Sequence, residues 1–161
     1  MKPMSSNQAR EAGCTDHIAV LDRFYDAEMR YVAAGGAPRG AGFDEMAACF
    51  HPEAVMRQGP SAPFPGEWKG IQEVERFFAV LSETWVSAEG LTVRYFAGDD
   101  GVAVSMRVHL TSRATGRTVD SHLAQFITFD GGLIRDFTVF YLDPVRLREA
   151  CGLPGVRSSL P

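Results

Sequence analysis

Apolar residues recur along this chain at two periods, and the change from one to the other divides it into a helical part and a stranded part. Ile18, Leu21, Tyr25, Met29 and Val32 fall at helical spacing and make one stripe, which predicts a helix starting at the capping residues Thr15 or Asp16. The run Gly35-Gly36-Ala37-Pro38-Arg39-Gly40-Ala41-Gly42 ends it as a loop. A short helix follows over 44–50 with Met46, Ala47 and Phe50 inward, and His51-Pro52 stops it. Residues 53–58 read as a short strand and 59–66 as a proline-rich loop. The clearest helical signal covers 71–87: Val74, Phe77, Phe78, Leu81 and Trp85 form a wide apolar face, while Glu73, Glu75, Arg76 and Glu83 face water.

Past residue 90 the pattern alternates. Strands are predicted at 91–97, 102–112, 117–129 and 133–142, with Asp99-Asp100-Gly101, Thr115-Gly116 and Asp130-Gly131-Gly132 as hairpin turns. Asp143-Pro144 opens a last short helix ending at Gly152. Helices grouped before consecutive antiparallel strands define an α+β layer structure, helices packed on a mostly antiparallel sheet. One domain is expected over 15–152, with tails at 1–14 and 153–161. The last strands carry Leu133, Phe137, Val139 and Tyr141 on one face and Ile134, Phe140 and Leu142 on the other. Helices cover one face, so a homodimer through the sheet is expected to cover the second.

Composition narrows the function classes. At 161 residues, 45% hydrophobic and 22% charged, the chain has the core of one globular domain. Its net charge of -4 is spread without a basic stripe, which argues against a nucleic-acid partner. The longest apolar run, Phe77–Leu81, is too short to cross a bilayer, and the first residues lack the apolar stretch of a secretory signal. Cys14, Cys49 and Cys151 are scattered and odd in number, so neither a disulfide framework nor a zinc ribbon is expected. The expectation is a cytoplasmic protein without metal or cofactor.

Several short segments carry a resemblance: Phe50-His51-Pro52-Glu53-Ala54-Val55, Trp68-Lys69-Gly70-Ile71, Thr115-Gly116-Arg117, Asp130-Gly131-Gly132-Leu133-Ile134 and Phe140-Tyr141-Leu142-Asp143. Through them the chain resembles the SnoaL-like group of the nuclear transport factor 2-like superfamily. The resemblance implies a cone of strongly curved sheet wrapped around helices and enclosing an apolar pocket. It also implies an activity among isomerases, polyketide cyclases, dehydratases (lyases) and epoxide hydrolases, or a non-catalytic binding or interaction module. Locally the chain is similar to limonene epoxide hydrolases. Arg107 matches the Arg of their Arg-x-Asp, His109 replaces its Asp, and their later Asp falls at Val139 or Phe140. Their water-holding pair falls at Met56 and Gln58. The ketosteroid isomerase base also falls near Gln58, its oxyanion-hole Asp near Gln125 and its Tyr near Phe24. The Asp of SnoaL-type cyclases falls near Ala124 or Gln125.

The residues themselves offer a polar row. On strand 102–112 one face reads Ser105, Arg107, His109, Thr111 and the other Val104, Met106, Val108, Leu110. A tight Thr115-Gly116 hairpin would set His109 opposite His122 and Thr111 opposite Asp120. The expected chemistry is acid–base catalysis by His109, with Arg107 and Gln58 holding oxygen atoms and His122 or Asp120 setting the His109 tautomer. Tyr25, Trp68, Phe77, Phe78, Leu81, Phe140 and Tyr141 are expected to line the pocket of a small apolar substrate.

Overall fold

The computed structural model describes residues 5–154. Residues 1–4 and 155–161, parts of the expected tails, lie outside the described residues. Helix α1 runs Ser6–Ala33. It starts well before Thr15, because Ala9, Arg10, Glu11 and Ala12 are strong helix formers that continue it toward the N-terminus. A 3-10 turn at Ala37–Arg39 and the short α2 (Asp44–Ala47) lead to β1 (Phe50–Gln58) and β2 (Gly66–Lys69). Then come α3 (Ile71–Thr84), β3 (Trp85–Gly98), β4 (Gly101–Ser112), β5 (Thr118–Asp130), β6 (Leu133–Tyr141) and α4 (Pro144–Ala150).

Several boundaries differ from expectation for local reasons. α2 ends at Ala47, and Phe50, His51 and Pro52 belong to β1, whose strand begins at Phe50 and not at residue 53, with Phe50 facing Ile134 of β6. Trp85 to Ser87 is strand rather than the end of α3, since Trp85 and Val86 suit a pleated edge and Trp85 pairs with Ser112. β2 was not predicted. Four residues are too few to show alternation, and only its pairing with β1 makes it a strand.

The six strands lie in the order β2-β1-β6-β5-β4-β3. All neighbours are antiparallel except β1 and β6, which are parallel. Register shifts at Trp85/Ser87, Gly90/Thr92 and Thr128/Phe129 are bulges, which bend the sheet and raise its twist. The helices α1 and α3 pack into the hollow this makes: α1 against β3, β4 and β6, and α3 against β1, β2 and β3. Phe24 of α1 stands at the centre, with ring centroids 5.3 Å from Phe50, 5.7 Å from Phe78 and 5.6 Å from Phe137.

The turn from β3 to β4 depends on one glycine. Gly101 has φ 155°, and a Cβ there would stand 2.1 Å from the Ile127 carbonyl oxygen. That atom is backbone inside a sheet and has no room to give. Gly101→Ala should lower stability by about 2–4 kcal/mol, read as a fall in denaturation midpoint without a change in slope.

Candidate active site

The hollow of the cone holds a cavity of about 380 Å³ between α1, α3 and the concave face of the sheet. Strand alternation decides what faces it. Buried Met106, Val108 and Leu110 point inward from β4, Leu123 and Gln125 from β5, and Val139 and Tyr141 from β6. Phe77, Phe78 and Leu81 close it from α3, and Phe24, Tyr25 and Glu28 from α1. Asp22, Asp26 and Met29 of α1 and Val93 of β3 are exposed and also line the cavity, so its mouth lies beside these residues. Tyr95 spans that mouth by donating to Asp22 Oδ1 at 2.6 Å.

Two amide–phenol pairs supply the polar groups. The Phe64 N–H donates to Gln58 Oε1 at 3.3 Å, which turns the Gln58 amide so that Nε2 donates to the Tyr141 hydroxyl at 3.0 Å. The Tyr141 O–H has no acceptor among the described residues, so its own proton remains available to a ligand. Tyr25 donates to Gln125 Oε1, and the Gln125 amide N–H groups have no acceptor among the described residues. Burial pushes both phenols far above their ordinary range, and the nearby charge of Glu28 adds to this for each.

Glu28 is the one carboxyl in the cavity away from its mouth. It makes no hydrogen bond or ion pair with the described residues. Desolvation alone pushes its pKa up to about 7. The sequence carried a usable sign of it: Glu28 lies three residues after Tyr25 and four before Val32, a charge set within an apolar stripe.

The residues expected to carry the chemistry are divided by the sheet. Gln58, Tyr25, Phe77, Phe78, Leu81 and Tyr141 line the cavity. Arg107, His109, Asp120 and His122 do not; they stand on the convex face, outside the cone. The reason is the cost of the alternative: with Met106, Val108 and Leu110 on the same strand, turning the polar row inward would bury Arg107 and His109 and expose the apolar row. The register also differs, His109 facing Asp120 and Arg107 facing His122. Residues 113–117 form a longer loop than a tight hairpin, tied to α4 by the Thr115 hydroxyl donating to the Ala150 carbonyl at 2.6 Å. His109 Nδ1 sits 2.6 Å from Asp120 Oδ1, and this hydrogen bond holds the Asp120 carboxyl below its usual range. Phe140 is likewise on the convex face, 53% exposed and edge-on to Phe126. Trp68 does not line the cavity; it backs Phe77 at 5.6 Å, and its Nε1 is buried without a partner.

The SnoaL-like domain family matches residues 30–137, more than half of the chain. The fold and this match identify the protein's class: the chain belongs to the SnoaL-like domain family, within the nuclear transport factor 2-like superfamily. It is similar in structure to a nuclear transport factor 2-like protein of unknown function from Burkholderia pseudomallei (TM-score 0.71, 13% identity, covering 84% of this chain and 97% of that one). A protein from Jannaschia provisionally named a SnoaL-like polyketide cyclase has TM-score 0.69 and 15% identity, over 96% of this chain and all of its own. A protein of Bacillus subtilis provisionally named an isomerase has TM-score 0.68 and 15% identity, over 90% and 99%. At such identity the likeness establishes the fold alone. No curated protein matches the sequence. Gln58 and Gln125 fall inside the matched segment, whereas Tyr25, Glu28 and Tyr141 fall outside it, so the family match carries the scaffold and only part of the cavity's polar set. No described helix is long and apolar enough to cross a membrane.

Proposed function

We propose that the protein is an enzyme of the isomerase or cyclase type, acting on a small apolar molecule by acid–base chemistry without a cofactor. The observation that carries this is Glu28, a partnerless carboxyl in an apolar cavity whose pKa is pushed up to about 7. Such a group gives and takes protons near neutral pH, which suits a general base that must also act as acid. In this reading Glu28 takes a proton from a carbon beside a substrate carbonyl. The electrons of that C–H bond move to the carbonyl oxygen, where the Tyr141 O–H and the Gln125 amide donate hydrogen bonds to the growing charge. In an unsaturated ketone, return of the proton from Glu28 to the far carbon of the conjugated enolate completes an isomerisation. Alternatively the enolate carbon forms a C–C bond to a second carbonyl, whose oxygen takes the electron pair and then the proton from Glu28, completing a cyclisation. Gln58 acts through Tyr141 as a positioning residue. The names of the cyclase and isomerase neighbours support the class of reaction.

The test is exchange in D2O. Small apolar ketones incubated with the protein should gain deuterium beside the carbonyl, by mass spectrometry, faster than in buffer. A second reading, a binding module of the same fold, draws on Gln58 and Gln125, amides that cannot take a proton. It predicts saturable ketone binding with exchange no faster than in buffer.

We also propose that the chain dimerises through its convex face. Phe96, Ala103 and Phe126 form one cross-strand row, Ala124 and Phe140 lie in the next, and Leu142 beyond them is 79% exposed. A second copy would remove this apolar row from water. Light scattering at micromolar concentration should give a dimer for the native chain and a monomer for Phe140→Asp. A native monomer would overturn the proposal.

A further inference from the structure

The charged groups lining the cavity have one sign. Asp22, Asp26 and Glu28 all come from α1, and among the described residues no Arg, Lys or His lines the cavity. Arg39 and Arg113 line an adjoining, more open hollow that shares Met29, Val32 and Ala88 with the cavity, and neither reaches the cavity itself. The remaining wall is rich in aromatic rings, Tyr25, Trp85 and Tyr95 among them, whose faces carry partial negative charge. Resting on the reading of this cavity as the site of an acid–base enzyme, we infer that its substrate carries a positively charged ammonium group as well as the reacting carbonyl on its apolar skeleton.

Three observations converge on that class. A carboxylate or phosphate brought inside would meet Glu28 in a desolvated space with no cation to offset either charge. A substrate without a cation would leave the three carboxyl groups without countercharge among the described residues. An ammonium elsewhere on the substrate supplies that countercharge while the carbonyl end meets Glu28, and it also sits favourably on the aromatic faces. The exposed carboxylates at the mouth, Asp22 and Asp26, extend the same field to the entrance, where it draws cations in and turns anions away. Tyr95, hydrogen-bonded to Asp22, keeps one of these charges aimed across the opening.

The experiment compares three probes with one skeleton: 1-naphthylmethylamine, 1-naphthalenemethanol and 1-naphthoate, titrated calorimetrically into the native protein at pH 8. There Glu28 is ionised and the amine is protonated. The amine should bind at least about tenfold more tightly than the alcohol, and the carboxylate at least about tenfold more weakly. In Glu28→Gln the amine-to-alcohol ratio should fall to near one. A native amine affinity no greater than that of the alcohol, or a ratio unchanged in Glu28→Gln, overturns the inference. If the alcohol binds while the amine shows no advantage, the charge preference falls and the cavity remains a substrate site. If none of the three binds, the cavity reading falls and the inference with it. The native comparison decides without any variant, so a poorly folded Glu28→Gln does not leave the question open.

Discussion

Glu28→Gln should abolish proton exchange and, at the same time, make the protein more stable in mild alkali. Removing a general base costs about 10²- to 10⁴-fold in rate, and the amide is nearly isosteric, so the cavity keeps its shape. The stability gain follows from the sign of the shift. The folded state holds a proton on Glu28 up to about pH 7, whereas the unfolded chain releases it in the ordinary carboxyl range. Between those limits the folded state binds more protons, so native stability falls as pH rises through the window. Above pH 7 the full penalty is present, on the order of 3 kcal/mol for a shift of this size. Glutamine carries no such penalty. Denaturation midpoints at pH 5 and pH 8 should therefore converge in Glu28→Gln and differ in the native protein. Asp22 and Asp26 share the wall with Glu28, and Tyr25 and Tyr141 lie close enough for its charge to act on them. None of these four groups is basic, so no cation among the described residues holds Glu28 ionised at low pH. Equal midpoints at the two pH values in the native protein would remove Glu28 as the titrating group, and the acid–base reading with it.

Phe24→Ala should be the most damaging single change to the core. The side chain is 1% exposed and meets Phe50, Phe78 and Phe137 at once, so it joins α1 to β1, α3 and β6. Truncation at such a site costs about 3–5 kcal/mol, because rings held by separate elements collapse poorly into the space left. Most of the stability of a domain this size is at stake. Phe24 also lines the cavity one residue before Tyr25, so partial loss of α1 docking would displace Tyr25 and Glu28 together. Thermal melting reads the first effect and ketone exchange the second. A variant melting within a few degrees of the native protein would mean that the core does not depend on this junction.

Much of the architecture was legible from the chain. The stripe Val74, Phe77, Phe78, Leu81 could only be the face of a helix, and the alternation in β4 could only be a strand with one wet and one dry side. Asp143 caps α4 by accepting from the Arg146 N–H, as Asp-Pro at a helix start implies. The four strands from β3 to β6 are consecutive and antiparallel, with the turns near their predicted places.

The site was less legible because the same alternation admits two assignments. Strand periodicity separates Arg107 and His109 from Met106 and Val108 without saying which set faces the hollow. The resemblance favoured the polar set; the hydrophobic effect chose the other, since only one row could be covered by helices. The pairing of His109 with Asp120 was settled by the loop at 113–117 and its bond to α4, a contact between distant parts of the chain. Local sequence determined the elements, the faces of α3 and β4, and the caps, because those depend on spacings of a few residues. The tertiary structure alone decided which face became the interior. It also made Glu28, one charge on the stripe of α1, a desolvated carboxyl, because that depends on what five strands and a second helix close over it.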